Sequence, residues 1–545
     1  MAWIVSRKAY SRLTSILYLI IVMLFVSGAG LAVAYQLGYL HALNSGMPFL
    51  EPDNYEYYLF AQLAISQPGL SPYNITNPYL LGAPAGFFEH PGLYLMPVYL
   101  YGFLHLPLVW DFRILQILAV LITYLFTLLL AKKVLDALPI DKVYRWLTYT
   151  IVITSFLLMQ YSEITEWRGN EFITAIAVVV VYALAWMYTK RPYWLGLAGF
   201  GLGLLAILGI WIWSGGFVIV LLVTALIFAL LVYDMLLRKN KRIWRYVALG
   251  FVVLAILLFF FYGPIEEKIS LFTSSFGFSG CLSNPLNIGE ISCLTLSNGL
   301  LAILMMLVFG SFSLAAFLGS TVMSYRKKEY EYYLFGVLVA GLLFLPLAMV
   351  YIRLLDLIAP FLTILYALGV VAMLSYFSKT GSNRIVLFLT IILILISSFV
   401  GQYLFYLSSV TLYGFANPSG LVNATRYMAG SSANASVLAY FGYGGYLEAF
   451  GHLHTYSDTV QGLNYSRIEI EDRIFMGNAS VACSLLSNVT PAPAFVVLSD
   501  NMLNSTLFVD SSSSSILRSP YSFNDACGYG LAYNESGFFV FSRKK

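Results

Sequence analysis

Charged side chains are scarce in this chain. Only 10% of its 545 residues are Asp, Glu, Lys or Arg, and 60% are hydrophobic, whereas an average soluble protein is about 25% charged. This composition excludes an ordinary soluble protein and indicates a polytopic membrane protein. The apolar segments contain few ionisable groups, which argues against a transporter, because transporters tend to place such groups at mid-membrane.

Long apolar runs predict about eleven membrane-spanning helices. The first run, 13–37, follows Arg7, Lys8 and Arg12 and lacks a small-residue cleavage site, so we expect a retained helix with its N-terminus inside. Basic clusters fall at alternate joints between runs, as an inside location demands, and an odd helix count leaves the C-terminus outside. The other runs are at roughly 112–131, 144–161, 172–189, 193–213, 216–236, 244–263, 299–323, 332–351, 356–377 and 385–407.

The composition changes near residue 411, where Ser, Asn, Gly and Tyr become frequent. We therefore predict a transmembrane domain over 1–410 and an extracytoplasmic domain over 411–545, in a multi-pass protein of the cell membrane. Runs rich in β-branched and aromatic residues at 494–499 and 538–542 predict strands, and hence a mixed α/β fold for the second domain. The longer outside loops are expected at 38–109, 162–171 and 264–298.

The four cysteines all lie in segments predicted to be outside. They suggest two local disulfides, Cys281 with Cys293 and Cys483 with Cys527, with four unpaired thiols as the alternative. N-x-S/T sequons also lie only in outside segments, which suggests a protein that lives among N-glycosylated proteins. They begin at Asn74, Asn423, Asn434, Asn464, Asn478, Asn488, Asn504 and Asn534.

Acidic side chains follow the first apolar run and recur at the same membrane face. Asp53 lies in the first such stretch, beside Glu51 and Glu56, and a second stretch runs from Glu163 to Glu171. Asp53 is either the N-cap of a helix or a ligand of a divalent cation, because hard cations bind carboxylate oxygens. Two acidic loops at one face favour a shared metal site.

Short segments along the chain resemble, in order and type, the motifs of the catalytic subunit of oligosaccharyltransferases. These membrane enzymes move a glycan from a polyprenyl phosphate carrier to asparagine. In two segments a glycine, Gly169 or Gly442, stands where the family has aspartate. The segments are Pro52-Asp53-Asn54, Gly169-Asn170-Glu171, Trp213-Ser-Gly-Gly, Asn287-Ile-Gly-Glu290, Tyr351-Ile-Arg353 through Pro360, and Tyr440-Phe-Gly-Tyr-Gly through Asp458.

The resemblance implies a GT-C-like fold and a Mg²⁺ or Mn²⁺ site formed by Asp53, Glu171 and Glu290. It makes Asp53 and Glu290 the catalytic residues. It assigns the carrier phosphate to Arg353 and His90. The residues implied to bind the acceptor sequon are Tyr440, Phe441, Gly442, Tyr443 and Gly444.

The expected function is transfer of an oligosaccharide from a dolichyl or other polyprenyl phosphate or diphosphate to Asn of N-x-S/T sequons. The expected partners are the lipid-linked oligosaccharide, acceptor polypeptides and membrane lipid. Two alternatives stay open. One is a non-catalytic paralogue in a glycosylation complex, suggested by Gly169 and Gly442. The other is a related polyprenyl-phosphate-dependent glycosyltransferase with another acceptor.

Overall fold

The described part of the chain forms two compact units in a computed structural model. The helical unit comprises the described residues of Gln116–Ile164 and Gly169–Leu404, and the sheet unit those of Tyr35–Leu115 and Phe405–Lys545. The predicted boundary at residue 411 stays a prediction. The structure describes 47–49, 52–69, 75–81, 91–137, 169–190, 195–212, 217–233, 331–343, 357–369, 418–458, 465–503, 515–518 and 527–544, with single positions in 145–152 and 248–256.

The first two described helices of the sheet unit each begin at a proline. Helix α1 spans Pro52–Ser66 and helix α2 spans Pro91–Leu104. Proline suits the first position of a helix, because its fixed φ is helical and its missing N–H would have no partner there. The two helices pack together, with the rings of Phe60 and Tyr94 at 5.7 Å.

Helix α3, Leu108–Ala137, has 30 residues and is therefore about 45 Å long. Its segment Leu108–Asp136 has a mean hydropathy of 2.5 and is the one stretch in the described part that is long and apolar enough to cross a membrane. Ile117 and Leu125 on this helix are more than half exposed. Exposed apolar side chains suit a lipid environment, because lipid removes the cost of leaving them in water.

The described part of the helical unit contains five further elements, each of which overlaps a predicted apolar run. Helix α4 contacts α5, α6 and α7. The close packing uses glycine: a Cβ on Gly336 would lie 3.3 Å from Cγ1 of Val181. The elements are α4 Gly169–Lys190, α5 Leu195–Ile212, α6 Phe217–Tyr233, α7 Glu331–Leu338 continued by a π-helix at Val339–Leu343, and α8 Leu357–Gly369.

The C-terminal part of the chain adds a mixed α/β region to the sheet unit, as predicted. Its five strands are arranged in the order β2-β1-β3-β5-β4. Strands β1, β2 and β3 pair in parallel, while β5 pairs antiparallel with β3 and β4. The elements are α9 Pro418–Ser431, β1 Ser436–Leu438, α10 Phe441–Gly451, β2 His454–Thr455, α11 Tyr465–Met476, α12 Ala479–Asn488, β3 Phe495–Ser499, α13 Asp500–Leu503, a 3₁₀ turn at Ile516–Arg518, β4 Tyr529–Glu535 and β5 Phe538–Arg543.

Local chemistry explains where several of these elements begin and turn. Asn478 caps α12 by accepting a hydrogen bond from the N–H of Val481 at 3.0 Å. Strands β4 and β5 are joined by Ser536 and Gly537, both with positive φ, as a tight hairpin turn requires. All five residues of β3 are buried, which makes this strand the centre of the sheet's core.

A further segment lies beside the edge of this sheet. The N–H of Thr455 in β2 donates to the carbonyl of Tyr79 at 3.0 Å, and the N–H of Leu81 donates to the carbonyl of Thr455 at 2.8 Å. Residues 79–81 therefore form an isolated parallel bridge to Thr455 at the outer edge of β2. The loop that follows the first apolar run and the C-terminal part of the chain thus share one sheet.

Cys483 and Cys527 form a disulfide, which confirms that predicted pair. The bond joins α12 to the residues just before β4. The other predicted pair, Cys281 with Cys293, lies outside the described residues.

Replacing Cys483 by Ser should lower the free energy of unfolding of the sheet unit by about 2–4 kcal/mol, because the bond closes a long loop and restricts the unfolded chain. The two cysteines are 44 residues apart. The thermal midpoint measured with and without reductant checks this, with Ser484→Ala at an exposed position of the same helix as control. Equal midpoints for wild type and Cys483→Ser would contradict the prediction.

Candidate functional site

Helix α10 is glycine-rich and lies at the centre of the candidate site. It ends at Gly451, where His452 adopts a left-handed φ of 50°. The N–H groups of His452 and Leu453 donate to the carbonyls of Glu448 and Leu447, each at 3.2 Å. This arrangement satisfies carbonyls of the last turn. The helix packs against α1 within the sheet unit.

Two glycines of α10 permit this close approach. A Cβ on Gly444 would lie 2.3 Å from the carbonyl oxygen of Ser457 and 3.0 Å from Cα of Asp458. A Cβ on Gly445 would lie 3.1 Å from Oε1 of Glu56. The glycines therefore bring α1 and the 457–458 segment against the same turn of α10.

Aromatic rings surround this contact between the helices. The ring of Tyr55 meets that of Tyr446 edge-on at 5.1 Å, and Tyr58 stacks on Phe450 at 5.4 Å. Such pairs add to the burial of apolar area. The contact between α1 and α10 is therefore lined by aromatic rings.

Three carboxyl groups meet there, from Glu56 of α1, Glu448 of α10 and Asp458. Each offers an oxygen that lies within 4.8 Å of the other two. All three residues have no exposed surface. Oxygen ligands of this kind and spacing suit a hard divalent cation.

Neutral donors hold Glu448 in place. Asn77 Nδ2 donates to Oε2 of Glu448 at 2.6 Å, and the hydroxyl of Thr455 donates to Oε1. Neither Oε atom of Glu56 accepts a hydrogen bond from any described group other than the neighbouring carboxyls. Hydrogen bonds therefore fix the orientation of the Glu448 carboxylate, whereas no described donor outside the cluster does so for Glu56.

The electrostatics of the cluster disfavour three negative charges. Burial raises the pKa of the Glu56 carboxyl well above its usual value, and Asp458, Glu448 and Asp53 add to the rise. Burial and Asp458 also raise the pKa of Glu448, while the hydrogen bonds from Thr455 and Asn77 oppose the rise. The cluster must therefore hold either protons or a cation.

A second acidic pair lies on helix α11. Ser457 Oγ donates to Oε2 of the buried Glu471 at 2.5 Å. Burial raises the pKa of Glu471 well above its usual value, and that of Asp472 to about 7. Asp458 belongs to the first set of acids and Ser457 binds the second, so the two sets lie on either side of the 457–458 segment.

Of the three metal ligands predicted from the sequence, the structure describes the side chain of Asp53. Asp53 lies half-buried in the first turn of α1, one turn before Glu56. Glu171 lies in the first turn of α4, in the helical unit, and its side chain is outside the described set. Glu290, Arg353 and His90 also lie outside the described residues. The predicted Asp53, Glu171 and Glu290 site therefore stays a prediction.

The predicted sequon-binding block forms the start of α10. The half-buried ring of Tyr440 contacts the rings of Phe441 at 4.5 Å and Tyr443 at 5.6 Å. The buried Tyr443 hydroxyl pairs with Ser499 Oγ at 2.8 Å. A Cβ on Gly442 would lie 2.6 Å from Cε1 of Tyr440, so this ring takes the space that a side chain at 442 needs.

Sequence patterns assigned no role to Glu448 or Asp458, although both lie within the motif-like segment. The available signal was a glutamate within the apolar run Tyr446-Leu-Glu-Ala-Phe450. A charged side chain in such a run is rarely buried unless it has a partner. For Glu56, the available signal was its position three residues after Asp53. Residues at this spacing are neighbours on a helix surface, which groups the two acids. The long-range contact itself had no signal in the sequence.

Comparisons with known proteins identify the fold. No protein-family model and no curated protein matches this sequence. The apo oligosaccharyltransferase of Archaeoglobus fulgidus is similar in structure, with a TM-score of 0.53 and 12% identity over 91% of this chain and 71% of that one. ArnT from Cupriavidus metallidurans bound to undecaprenyl phosphate is also similar, with a TM-score of 0.51 and 12% identity over 94% of this chain and 97% of that one.

At 12% identity the similarity defines the fold and not the reaction. The chain therefore shares the fold of these two structures, and its described part includes the α/β region of the sheet unit. The expected number of membrane-spanning helices and the orientation of the termini remain predictions.

Gly444→Ala should destabilise the sheet unit by about 1–3 kcal/mol, because the new methyl group overlaps backbone atoms that have little room to move. Gly430→Ala is the matched control, since Gly430 lies in α9 and a Cβ added there would meet nothing within 4 Å. The control should be neutral or stabilising by about 0.5–1 kcal/mol. Thermal midpoints of the two variants check this, and equal midpoints would refute the close contact at Gly444.

Asp472→Asn should flatten the pH dependence of stability. The folded-state pKa of Asp472 is raised to about 7 from 3.8, so its contribution is complete below about pH 4 and is lost as the pH rises through 7. The amide variant lacks this titration. Thermal midpoints across this range, with exposed Glu469→Gln on the same helix as control, measure the slope. A slope in Asp472→Asn as steep as that of wild type would be the contrary result.

Proposed function

We propose that this chain is a membrane glycosyltransferase that transfers an oligosaccharide from a polyprenyl phosphate or diphosphate carrier to Asn of N-x-S/T sequons. The observation that carries the proposal is a fold shared over more than nine-tenths of the chain with both an oligosaccharyltransferase and a protein bound to undecaprenyl phosphate. The ordered motif-like segments support the choice of acceptor.

Asp53, Glu171 and Glu290 fit a Mg²⁺ or Mn²⁺ ion, because carboxylate oxygens are the ligands these ions prefer. The half-buried Asp53 lies in the first turn of α1, where its carboxylate is favoured by the helix dipole. When bound, the ion supplies Lewis-acid stabilisation of the departing phosphate. Arg353, with His90, binds the carrier phosphates, since a guanidinium matches phosphate geometry.

The acceptor asparagine needs help from the protein, because an amide nitrogen is a poor nucleophile. Glu290 and Asp53 orient and polarise the amide. The bond between the anomeric carbon and the carrier phosphate breaks, and the phosphate leaves with the electron pair. A bond to the amide nitrogen forms, and that nitrogen releases one proton to water. Tyr440 and Phe441 remain partly exposed and take the contact with the sequon, while the Tyr443 hydroxyl is engaged by Ser499.

A second acceptor class has its own support. The similarity to ArnT extends over 97% of that protein, so it involves a chain of nearly the same extent. Gly442 also leaves the acceptor-binding block without a carboxylate, and the Tyr440 ring fills the space. These observations favour a related carrier-dependent glycosyltransferase with a different acceptor as the alternative.

The test is transfer from a purified polyprenyl-linked oligosaccharide to a fluorescent Asn-x-Thr peptide by the full chain in nanodiscs, with Mn²⁺ and with chelator. We expect metal-dependent transfer that falls by about 100-fold or more in Glu290→Gln, because one transition-state contact is lost. Exposed Glu469→Gln, the matched control, should keep full activity.

Two results would overturn the sequon assignment. Release of the glycan from the carrier without peptide glycosylation, in the presence of a membrane extract as acceptor, would favour the alternative acceptor class. No reaction of the carrier, while a control oligosaccharyltransferase uses the same donor, would favour a non-catalytic paralogue.

A further inference from the structure

We propose that Glu56, Glu448 and Asp458 form a Ca²⁺ site within the sheet unit, with none of the residues of the metal site of the proposed function. The bound ion would fasten α1 to α10 and to the 457–458 segment. The site rests on the geometry of these residues and does not depend on the reaction that the chain performs.

The burial of the ligands favours Ca²⁺, and their spacing is compatible with it. Ca²⁺ binds oxygen at about 2.3–2.6 Å, so two ligands on opposite sides of the ion are about 4.6–5.2 Å apart. The three carboxyl groups offer oxygens within 4.8 Å of one another. The three carboxyl groups can therefore surround one Ca²⁺. Mg²⁺ usually keeps several waters and binds only one or two carboxylates, so three carboxylates with no exposed surface suit Ca²⁺ better.

The environment of Glu56 points independently to a missing positive partner. Its side chain has no exposed surface, and within the described part of the chain neither carboxylate oxygen receives a hydrogen bond from outside the acid cluster. No Lys, Arg or His of that part pairs with Glu56 or Glu448. Buried carboxylates normally have a cation, a metal or several donors.

The surroundings of Glu448 resemble the support of a metal ligand. Asn77 and Thr455 each donate to one of its oxygens, so the carboxylate is fixed in orientation. Each oxygen keeps a further lone pair for a cation. Hydrogen bonds that orient a ligand from behind are a regular feature of metal sites.

The backbone leaves room for the ligands to converge. Gly445 faces Oε1 of Glu56, and a Cβ there would lie 3.1 Å from that oxygen. Gly444 faces Asp458, where a Cβ would lie 3.0 Å from its Cα. Two adjacent glycines thus stand where side chains would push apart the segments that carry the acids.

The rings beside the cluster provide a direct optical readout. Tyr55 and Tyr446 pack edge-on next to Glu56 and the Gly445 turn. Tb³⁺ binds in Ca²⁺ sites through the same oxygen chemistry, and nearby tyrosine sensitises its luminescence. Binding is therefore measurable without any glycosyl donor or acceptor.

The experiment uses the full chain in nanodiscs, stripped with chelator and titrated with Ca²⁺. We expect Ca²⁺ to raise the thermal midpoint by several degrees, through preferential binding to the folded state. Tb³⁺ luminescence should appear on addition and be displaced by Ca²⁺. Glu448→Gln and Glu56→Gln should each weaken Ca²⁺ binding by about 10-fold or more, since each removes one charged oxygen ligand, whereas exposed Glu469→Gln should bind like wild type.

Glu290→Gln separates this site from the proposed catalytic one. It should keep the Ca²⁺-dependent rise in midpoint even where transfer is lost. If Glu448→Gln fails to fold, elemental analysis still tests the proposal. Wild type reloaded with Ca²⁺ must contain one Ca²⁺ per chain, and Glu290→Gln treated in the same way must contain it as well. The proposal is wrong if wild type shows no Ca²⁺-dependent midpoint or luminescence, or if Glu56→Gln responds as wild type does. A thermal midpoint that rises on acidification and does not respond to Ca²⁺ would show that protons, and not Ca²⁺, neutralise the three carboxyl groups.

Discussion

The burial of three carboxyl groups between α1 and α10 is the constraint on which the sheet unit depends. Like charges at this spacing repel, so the contact persists only when protons or a cation reduce the charge. Glycines at 444 and 445 make the approach possible, and the donors Asn77 and Thr455 set the position of Glu448. Two helices, one sheet edge and an extended segment therefore meet at a single carboxylate.

This contact is also highly non-local. Asn77 and Glu448 are 371 residues apart in sequence, although they share a hydrogen bond. The sheet unit cannot be completed until its C-terminal strands have been synthesised, because residues 79–81 pair with Thr455 of β2. Long-range pairing of this kind slows folding, since loop closure precedes the gain from contacts. Residues in the first loop must remain available until then.

Sequence patterns anticipated the features that depend on neighbouring residues. Apolar runs marked the positions of α4, α5 and α6, and β-branched and aromatic runs marked β3 and β5. The Cys483–Cys527 pair followed from cysteine placement. The acid cluster was not predicted, because no pattern in the sequence joins the acids of the first loop to Glu448 and Asp458. Only the fold shows that Glu56 and Glu448 are neighbours, and no local pattern encodes a contact over such a distance.

The filled space at Gly442 makes position 442 dependent on the side chain two residues before it. A Cβ at 442 would lie 2.6 Å from Cε1 of Tyr440. The overlapping atom belongs to a side chain and not to the backbone, so a change of the Tyr440 rotamer would make room for a side chain at 442. The orientation of one aromatic ring therefore decides which residue types position 442 can accept.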